Sequence, residues 1–344
     1  MLNLLIIFGG ASGEHEVSCL SAASVLRNIN KDKYYVTKIG ITKDGRWFKT
    51  DASADKIENG EWINEDNIKA ILSPDRETHG IVLADGTVQK IDVIFPVMHG
   101  DFCEDGCIQG LFELAGIPYV GPGVLSSSVS MDKAATKLFV EKLGIRQAAW
   151  YVASPDFTDE DIDKITAKFN FPVFVKPCNA GSSLGAGKAS NREELVCAIR
   201  EAAKVDSKIL CEEFIDAREI ECAVLGNRDA KASTVGEILP SNEFYDYNAK
   251  YIDNKSGLVI PADLPEKTAE EIRTYAVKIF KALQCRCLSR VDFFVHKKTG
   301  EVYFNEINTL PGFTSISMYP KLWGASGIPY SELIDKLIEY AQKL

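Results

Sequence analysis

The segment SRVDFFVHKKTGEVYFNEINTLPGFTSISMY, residues 289–319, constrains the architecture more than any other stretch of the chain. Two runs rich in β-branched and aromatic residues flank a turn at residues 299–301, which predicts a β-hairpin. Asp292 on the first strand and Glu306 on the second then meet across the pair. Asn308 alternates with Glu306, so the two side chains share a face. Two carboxylates and an amide oxygen at one strand end form an all-oxygen set, suited to Mg²⁺ or Mn²⁺ with bound phosphate. Pro311 and Gly312 break the strand, and the residues beyond offer backbone N–H groups and the hydroxyls of Thr314, Ser315 and Ser317. Any one of these acids is more often a solvated surface group. Ligands, strand end and breaker together favour a site.

The chain opens with an apolar strand at residues 4–8, the loop GGASG at 9–13 and a helix over about 15–29. Strand, glycine loop and helix in this order begin an open α/β domain, whose ligands gather at the carboxyl ends of the strands. The loop lacks the G-x-G-x-x-G spacing, so no dinucleotide is implied. Glu14, in the first helical turn, either complements the helix dipole or holds a substrate ammonium. Residues 34–42 and 46–49 read as strands, and 51–90 as a polar, weakly patterned elaboration. A further buried strand at 92–98 ends at His99, and the loop DFCEDG leads into a helix over 107–115. His99 and Glu104 thus lie at the same edge as Glu14. A lone histidine is more commonly a packed, satisfied one, but its place at a strand end favours function.

Gly121-Pro122-Gly123 reads as a linker. A helix over 132–143 follows, with Lys133 in its first turn, where a cation opposes the dipole and suggests an anionic partner such as phosphate. After a helix at 159–169, the strand FPVFVKP carries Lys176 into the loop CNAGSSLGAGK. Loops so rich in Gly and Ser let backbone N–H groups approach phosphate closely, although the P-loop ending G-K-[ST] is missing. Beyond a helix at 191–203 come strands at 209–215 and 219–224. YDYNAKY, at 245–251, is too polar for a core and too aromatic for a linker, and reads as a lid carrying Lys250 and Tyr251. Helices are predicted over 266–283 and 330–343, the last with a core-facing stripe of Leu333, Leu337 and Tyr340.

The net charge of −10 argues against nucleic acid or an anionic membrane as partner. The nine cysteines have no C-x-x-C pair and read as reduced thiols. The apolar start is too short for a signal segment, and no run reaches the ~18 residues of a membrane span. A cytoplasmic protein is the expectation.

In order and spacing, GGASGEHEVS, MHGDFCEDGCIQGLFELAGIPYVG, SMDK, VKPCNAGSSLG, FYDYNAKY, SRVD and NEINTLPGFTSISMYP resemble the D-alanine–D-alanine ligases of the ATP-grasp superfamily over nearly the whole chain. The resemblance implies α/β and α+β architecture in three domains: an open α/β domain at 1–121, a central ATP-grasp domain at 122–212 and a C-terminal one at 213–344. It implies ATP and two Mg²⁺ (or Mn²⁺) ions, the metals on Asp292, Glu306 and Asn308. Lys133, Lys176, Ser182, Ser183 and Lys250 would serve the nucleotide phosphates, and Glu212, Glu213, Phe214, Ile215 and Glu219 the adenine and ribose. Glu14 would anchor the first D-alanine ammonium, linked to Ser182 and Tyr251, with Ser18 and His99 in the same pocket. Arg290 and the Gly312 N–H would stabilise the oxyanion, and Ser317 and Met318 would bind the second D-alanine. A homodimer is the family expectation. Relatives that use D-lactate or D-serine are the nearest alternative. Lys250-Tyr251 in the lid and Met318 speak against D-lactate, whereas Ile316 departs from the His or Tyr common in relatives.

Overall fold

The computed structural model describes residues 1–181, 183–239 and 257–343. β1 (Leu2–Gly9) is buried on both faces and lies between two parallel neighbours, β2 (Tyr34–Ile41) and β7 (Val93–Val97). Leu4, Ile6 and Phe8 point to one core, Leu5 and Ile7 to another. This two-sided burial explains the unbroken apolar run. α1 (His15–Asn28) follows the glycine loop, as expected.

Residues 51–90 add strands and a short helix to the edge of the first sheet. β3 (Trp47–Lys49), β4 (Ile68–Leu72), β5 (Gly80–Leu83) and β6 (Val88–Lys90) extend the parallel trio by antiparallel pairing, in the order β6-β5-β4-β3-β2-β1-β7. α2 (Ala54–Glu58) lies between β3 and β4. These strands are three to five residues long, so no long pattern marks them in the sequence. Trp62 anchors the region, buried edge-on against Phe8. Gly40 makes room for it: a Cβ there would stand 2.4 Å from the indole.

α3 (Cys107–Ala115) matches its predicted range. α4 (Val124–Met131), absent from the sequence-based expectations, follows Gly123. Asp132 then caps α5 (Lys133–Lys142) by accepting the Ala135 N–H. The second sheet, β10-β9-β11-β8, is antiparallel and joins β8 (Trp150–Ala153), β9 (Val173–Pro177), β10 (Gly187–Ala189) and β11 (Ile209–Glu213). It packs on α6 (Asp159–Lys168) and α7 (Arg192–Ala202) around Ile162, Leu195 and Ile199.

The third sheet, β14-β13-β12-β15-β16, contains β12 (Ala217–Gly226), β13 (Lys231–Leu239), β14 (Gly257–Val259), β15 (Cys287–His296) and β16 (Val302–Asn308). One face carries α8 (Glu266–Ala282) through Ile220, Val224 and Val291. The other meets α9 (Met318–Ala325) and α10 (Tyr330–Gln342). Those two helices share a single core with Leu4, Ile6 and Phe8 of β1.

The hairpin β15–β16 forms in the predicted register, with Asp292 opposite Glu306. The next pair is Phe293 with Phe304, which leaves Asn305 as an extra residue, a β-bulge. Val302 and Phe304 before the bulge and Ile307 after it therefore all enter the α8 core. Glu306 and Asn308 are turned to the opposite face, where an uninterrupted period of two would have put them with Phe304.

Candidate active site

Three acids form one cross-strand row: Glu221 on β12 opposite Asp292 on β15, and Asp292 opposite Glu306 on β16. In the next row Arg290 lies between Ala223 and Asn308. The Arg290 guanidinium donates through Nε and Nη2 to the two Asp292 oxygens at 2.8 and 2.7 Å, and its Nε is 3.0 Å from Glu221 Oε2. Burial works against this charge, but Asp292 and Glu221 outweigh it and hold the pKa well above the ordinary arginine value. The guanidinium is thus fixed beside the acids.

Asp292 and Glu306 facing each other, with Asn308 beside them, are hard oxygen donors of the kind Mg²⁺ or Mn²⁺ takes when phosphate completes the shell. Among the described residues no three His, Cys, Asp or Glu cluster closely enough to hold a metal by themselves. The donor set fits a shared site, with the remaining oxygens supplied by a bound phosphate.

Across from this row stand the lysines. Lys133 Nζ donates to the Ala180 carbonyl at 2.6 Å and lies 4.0 Å from Glu306. Burial lowers its pKa, with Glu306 offsetting part of the effect. Lys176 reaches Glu212 Oε2 at 2.7 Å and Asn305 Oδ1 at 3.4 Å. Glu212 Oε1 takes Lys137 Nζ at 2.6 Å. Burial raises the Glu212 carboxyl, but the two lysines outweigh it and bring its pKa down to about 2. Glu212 is therefore the counter-ion of two buried lysines, not a group presented to adenine or ribose as expected. Its neighbours stay accessible. Glu213 accepts the Ala149 N–H, and Lys188 sits over the exposed Phe214 ring. Ile215 and Glu219 are half-buried.

Glu14 stands at the N-cap of α1. A Cβ on Gly181 would be only 3.2 Å from its carboxylate oxygen, so the glycine-rich loop comes close because residue 181 has no side chain. Ser183 is exposed on the same loop. Ser182, Lys250 and Tyr251 lie outside the described residues.

Three expected substrate contacts take other roles. The Ser18 hydroxyl is fully buried; it accepts the Gly9 N–H and donates to the Val97 carbonyl, locking the ends of β1 and β7 together. His99 is buried too, with Nδ1 2.9 Å from the Leu310 carbonyl and Nε2 3.1 Å from the Ser21 hydroxyl. The Met318 side chain packs into the core over Gly236, where a Cβ would stand 2.8 Å from its sulfur. Each is a buried group already committed to protein partners. Ser317 is half-exposed, and its hydroxyl accepts the Thr314 N–H at 3.0 Å. Gly312 lies over that hydroxyl, 2.8 Å from where its Cβ would be.

Lys137 and Glu221 were not anticipated. Lys137 follows Lys133 by four residues on one helix, a spacing that puts both on the same face. Glu221 alternates with Glu219 on β12, which hints at a charged face.

Comparison with known proteins identifies the family. The family model described as "D-ala D-ala ligase N-terminus" matches residues 3–122, and "D-ala D-ala ligase C-terminus" matches 139–339. A D-alanine--D-alanine ligase from Acetivibrio thermocellus is 57% identical, with 98% of this chain and 95% of that protein covered. One from Clostridium acetobutylicum is 54% identical over 98% and 96%. Among solved structures, the VanG D-Ala:D-Ser ligase from Enterococcus faecalis superposes with a TM-score of 0.92 at 39% identity, covering 99% of each chain. The D-alanine–D-alanine ligase from Bacillus anthracis complexed with ATP has a TM-score of 0.75 at 28% identity, covering 100% of this chain and 98% of that one. The three sheets are those of the ATP-grasp fold, and the chain belongs to the D-alanine–D-alanine ligase family.

Proposed function

We infer that the chain joins two D-alanines at the expense of ATP, through D-alanyl phosphate, to give the dipeptide used in peptidoglycan precursors. The observation that carries this reading is the Glu221–Asp292–Glu306 row with Arg290 beside it, facing buried lysines. In the first step a D-alanine carboxylate oxygen attacks the γ-phosphorus of ATP, the bond to the β-phosphate oxygen breaks and ADP leaves, giving D-alanyl phosphate. Lys133 and Lys176 neutralise charge on the transferred group. Asp292, Glu306 and Asn308 would hold two Mg²⁺ or Mn²⁺ ions, which when bound neutralise phosphate charge and help align the phosphoryl group. In the second step the deprotonated amine of the other D-alanine attacks the acyl carbon, and collapse of the tetrahedral adduct breaks the acyl–oxygen bond, releases inorganic phosphate and leaves the dipeptide after loss of one amine proton. The Arg290 guanidinium and the Gly312 N–H stabilise the tetrahedral oxyanion, worth roughly 3 kcal/mol per donor in comparable sites. Glu14 holds the first ammonium, and Ser182 and Tyr251 are assigned to its hydrogen-bonded link by the family resemblance. Ser183, Glu213, Phe214, Ile215, Glu219 and Lys250 line the nucleotide. The half-exposed Ser317 meets the second substrate.

The domain division 1–121, 122–212 and 213–344, a homodimer and a cytoplasmic location complete the proposal. No helix among the described residues is long and apolar enough to cross a membrane.

Product analysis with ATP, D-alanine and an equimolar panel of D-alanine, D-serine and D-lactate tests the substrate assignment. D-alanyl-D-alanine should predominate at neutral pH; a majority of D-alanyl-D-serine would instead give the chain the specificity named for the D-Ala:D-Ser ligase of Enterococcus faecalis. Sedimentation of the purified protein should give twice the monomer mass.

A further inference from the structure

Two buried side chains of the first sheet's layer grip the main chain on either side of Gly312. His99 Nδ1 is 2.9 Å from the Leu310 carbonyl. A carbonyl only accepts, so Nδ1 carries the proton. Nε2 and the Ser21 hydroxyl, 3.1 Å apart, share a hydrogen bond whose direction follows the protonation of the ring, and against burial Glu104 Oε1, 3.6 Å from Nδ1, favours the charged form. In either form Ser21 Oγ keeps a lone pair to accept the Phe313 N–H at 3.2 Å. The contacts run from Phe313 through Ser21 and His99 to the Leu310 carbonyl. Tyr330 adds a hydrogen bond to the Phe313 carbonyl. Ser21 and His99 are both buried, and neither has a surface to offer to a substrate.

We propose that Ser21 and His99 are positioning residues for the amine-attack step: by holding Leu310 and Phe313 they set the direction of the Gly312 N–H between them. The proposal rests on the reading of Gly312 as an oxyanion donor. The physical requirement is clear, because a donor stabilises an oxyanion only when aimed at the place where charge develops. Pro311 and Gly312 lie beyond the last residue of β16, so the sheet ladder does not fix that direction. The Ser21–His99 relay supplies the constraint from outside the strand.

The two half-reactions separate this role from a merely structural one. D-alanine-dependent positional isotope exchange in ATP reads reversible acyl-phosphate formation; dipeptide release reads both steps. In Ser21→Ala, dipeptide turnover should fall by roughly ten- to a hundredfold, the scale of a misplaced catalytic group, while isotope exchange and the KM for ATP stay within about twofold. His99→Asn keeps an amide N–H near the Nδ1 position and should retain several-fold more dipeptide turnover than His99→Ala. Equal loss of both half-reactions, or no loss of either, in folded Ser21→Ala overturns the proposal. Should Ser21→Ala not fold, the His99→Asn and His99→Ala pair decides it in the same way, with equal activities refuting it. Gly312→Pro, which deletes the N–H outright, tests the underlying reading. Unchanged dipeptide turnover in that variant would remove Gly312 as oxyanion donor. Loss there with no effect in the Ser21 and His99 variants would remove the positioning role alone.

Discussion

At the scale of single residues, charge pairing in the interior dominates. Glu212 binds Lys137 and Lys176 at 2.6 and 2.7 Å in a nearly solvent-free setting. Removing one partner of such a group leaves the others buried and uncompensated. Glu212→Gln should therefore cost about 3–5 kcal/mol in denaturant unfolding. The sign of the pH effect follows from the depressed carboxyl. Its folded pKa, about 2, lies below the ordinary 4.5, so its stabilisation is complete above 4.5 and is lost as pH falls through about 2. Acid unfolding of the native chain should steepen across that window, and Glu212→Gln should flatten it. Glu306→Gln is a different case, since its side chain is one-third exposed. It should abolish dipeptide formation while the melting transition stays in place; retained turnover would mean that the metal ligands are misassigned. The sequence displayed Asp292, Glu306, Asn308 and Arg290 because strand alternation makes such groupings visible. It hid the buried ion pairs, because Lys137 looks like any helix-surface lysine until β11 is packed against it.

At the scale of elements, long patterns were legible and short ones were not. α1, α3 and the β15–β16 hairpin follow from apolar periodicity and turn residues over eight or more positions. β4, β5 and β6 span five residues or fewer, too short for a repeating pattern, so their pairing is decided by neighbours rather than by their own sequence. Trp62 is the residue that ties this extension to the parallel core. Trp62→Ala should cost about 3–5 kcal/mol by urea unfolding, the range for emptying a large buried aromatic site. A loss below about 1 kcal/mol would mean that β3–β6 are anchored by their ladders alone. The bulge at Asn305 was invisible for another reason. Val302, Phe304, Glu306 and Asn308 all share one parity, and only the paired structure reveals that the strand changes faces between them.

At the scale of the molecule, cores are shared unequally. The sheet β8–β11 with α6 and α7 has a core whose buried residues fall between 153 and 211, with Ala149 and Tyr151 packed against it. β1 and β7, by contrast, share theirs with α9 and α10 and with one face of β12. His99 and Ser21 add hydrogen bonds across the same junction, and Asp335 of α10 takes Lys33 and Tyr34. Native-state hydrogen exchange should accordingly find β1 and α10 opening together, with β9 and β11 opening as a separate unit at a different free energy. Identical opening energies for all four would contradict this partition. The shared core also has a consequence for biosynthesis. Leu4, Ile6 and Phe8 leave the ribosome more than 300 residues before Leu333, Leu337 and Ile338, which cover them. At translation rates of about 5–20 residues per second, the nascent first sheet carries an uncovered apolar face for some tens of seconds. During that interval the uncovered face needs protection, by a chaperone or by transient contacts within the growing chain.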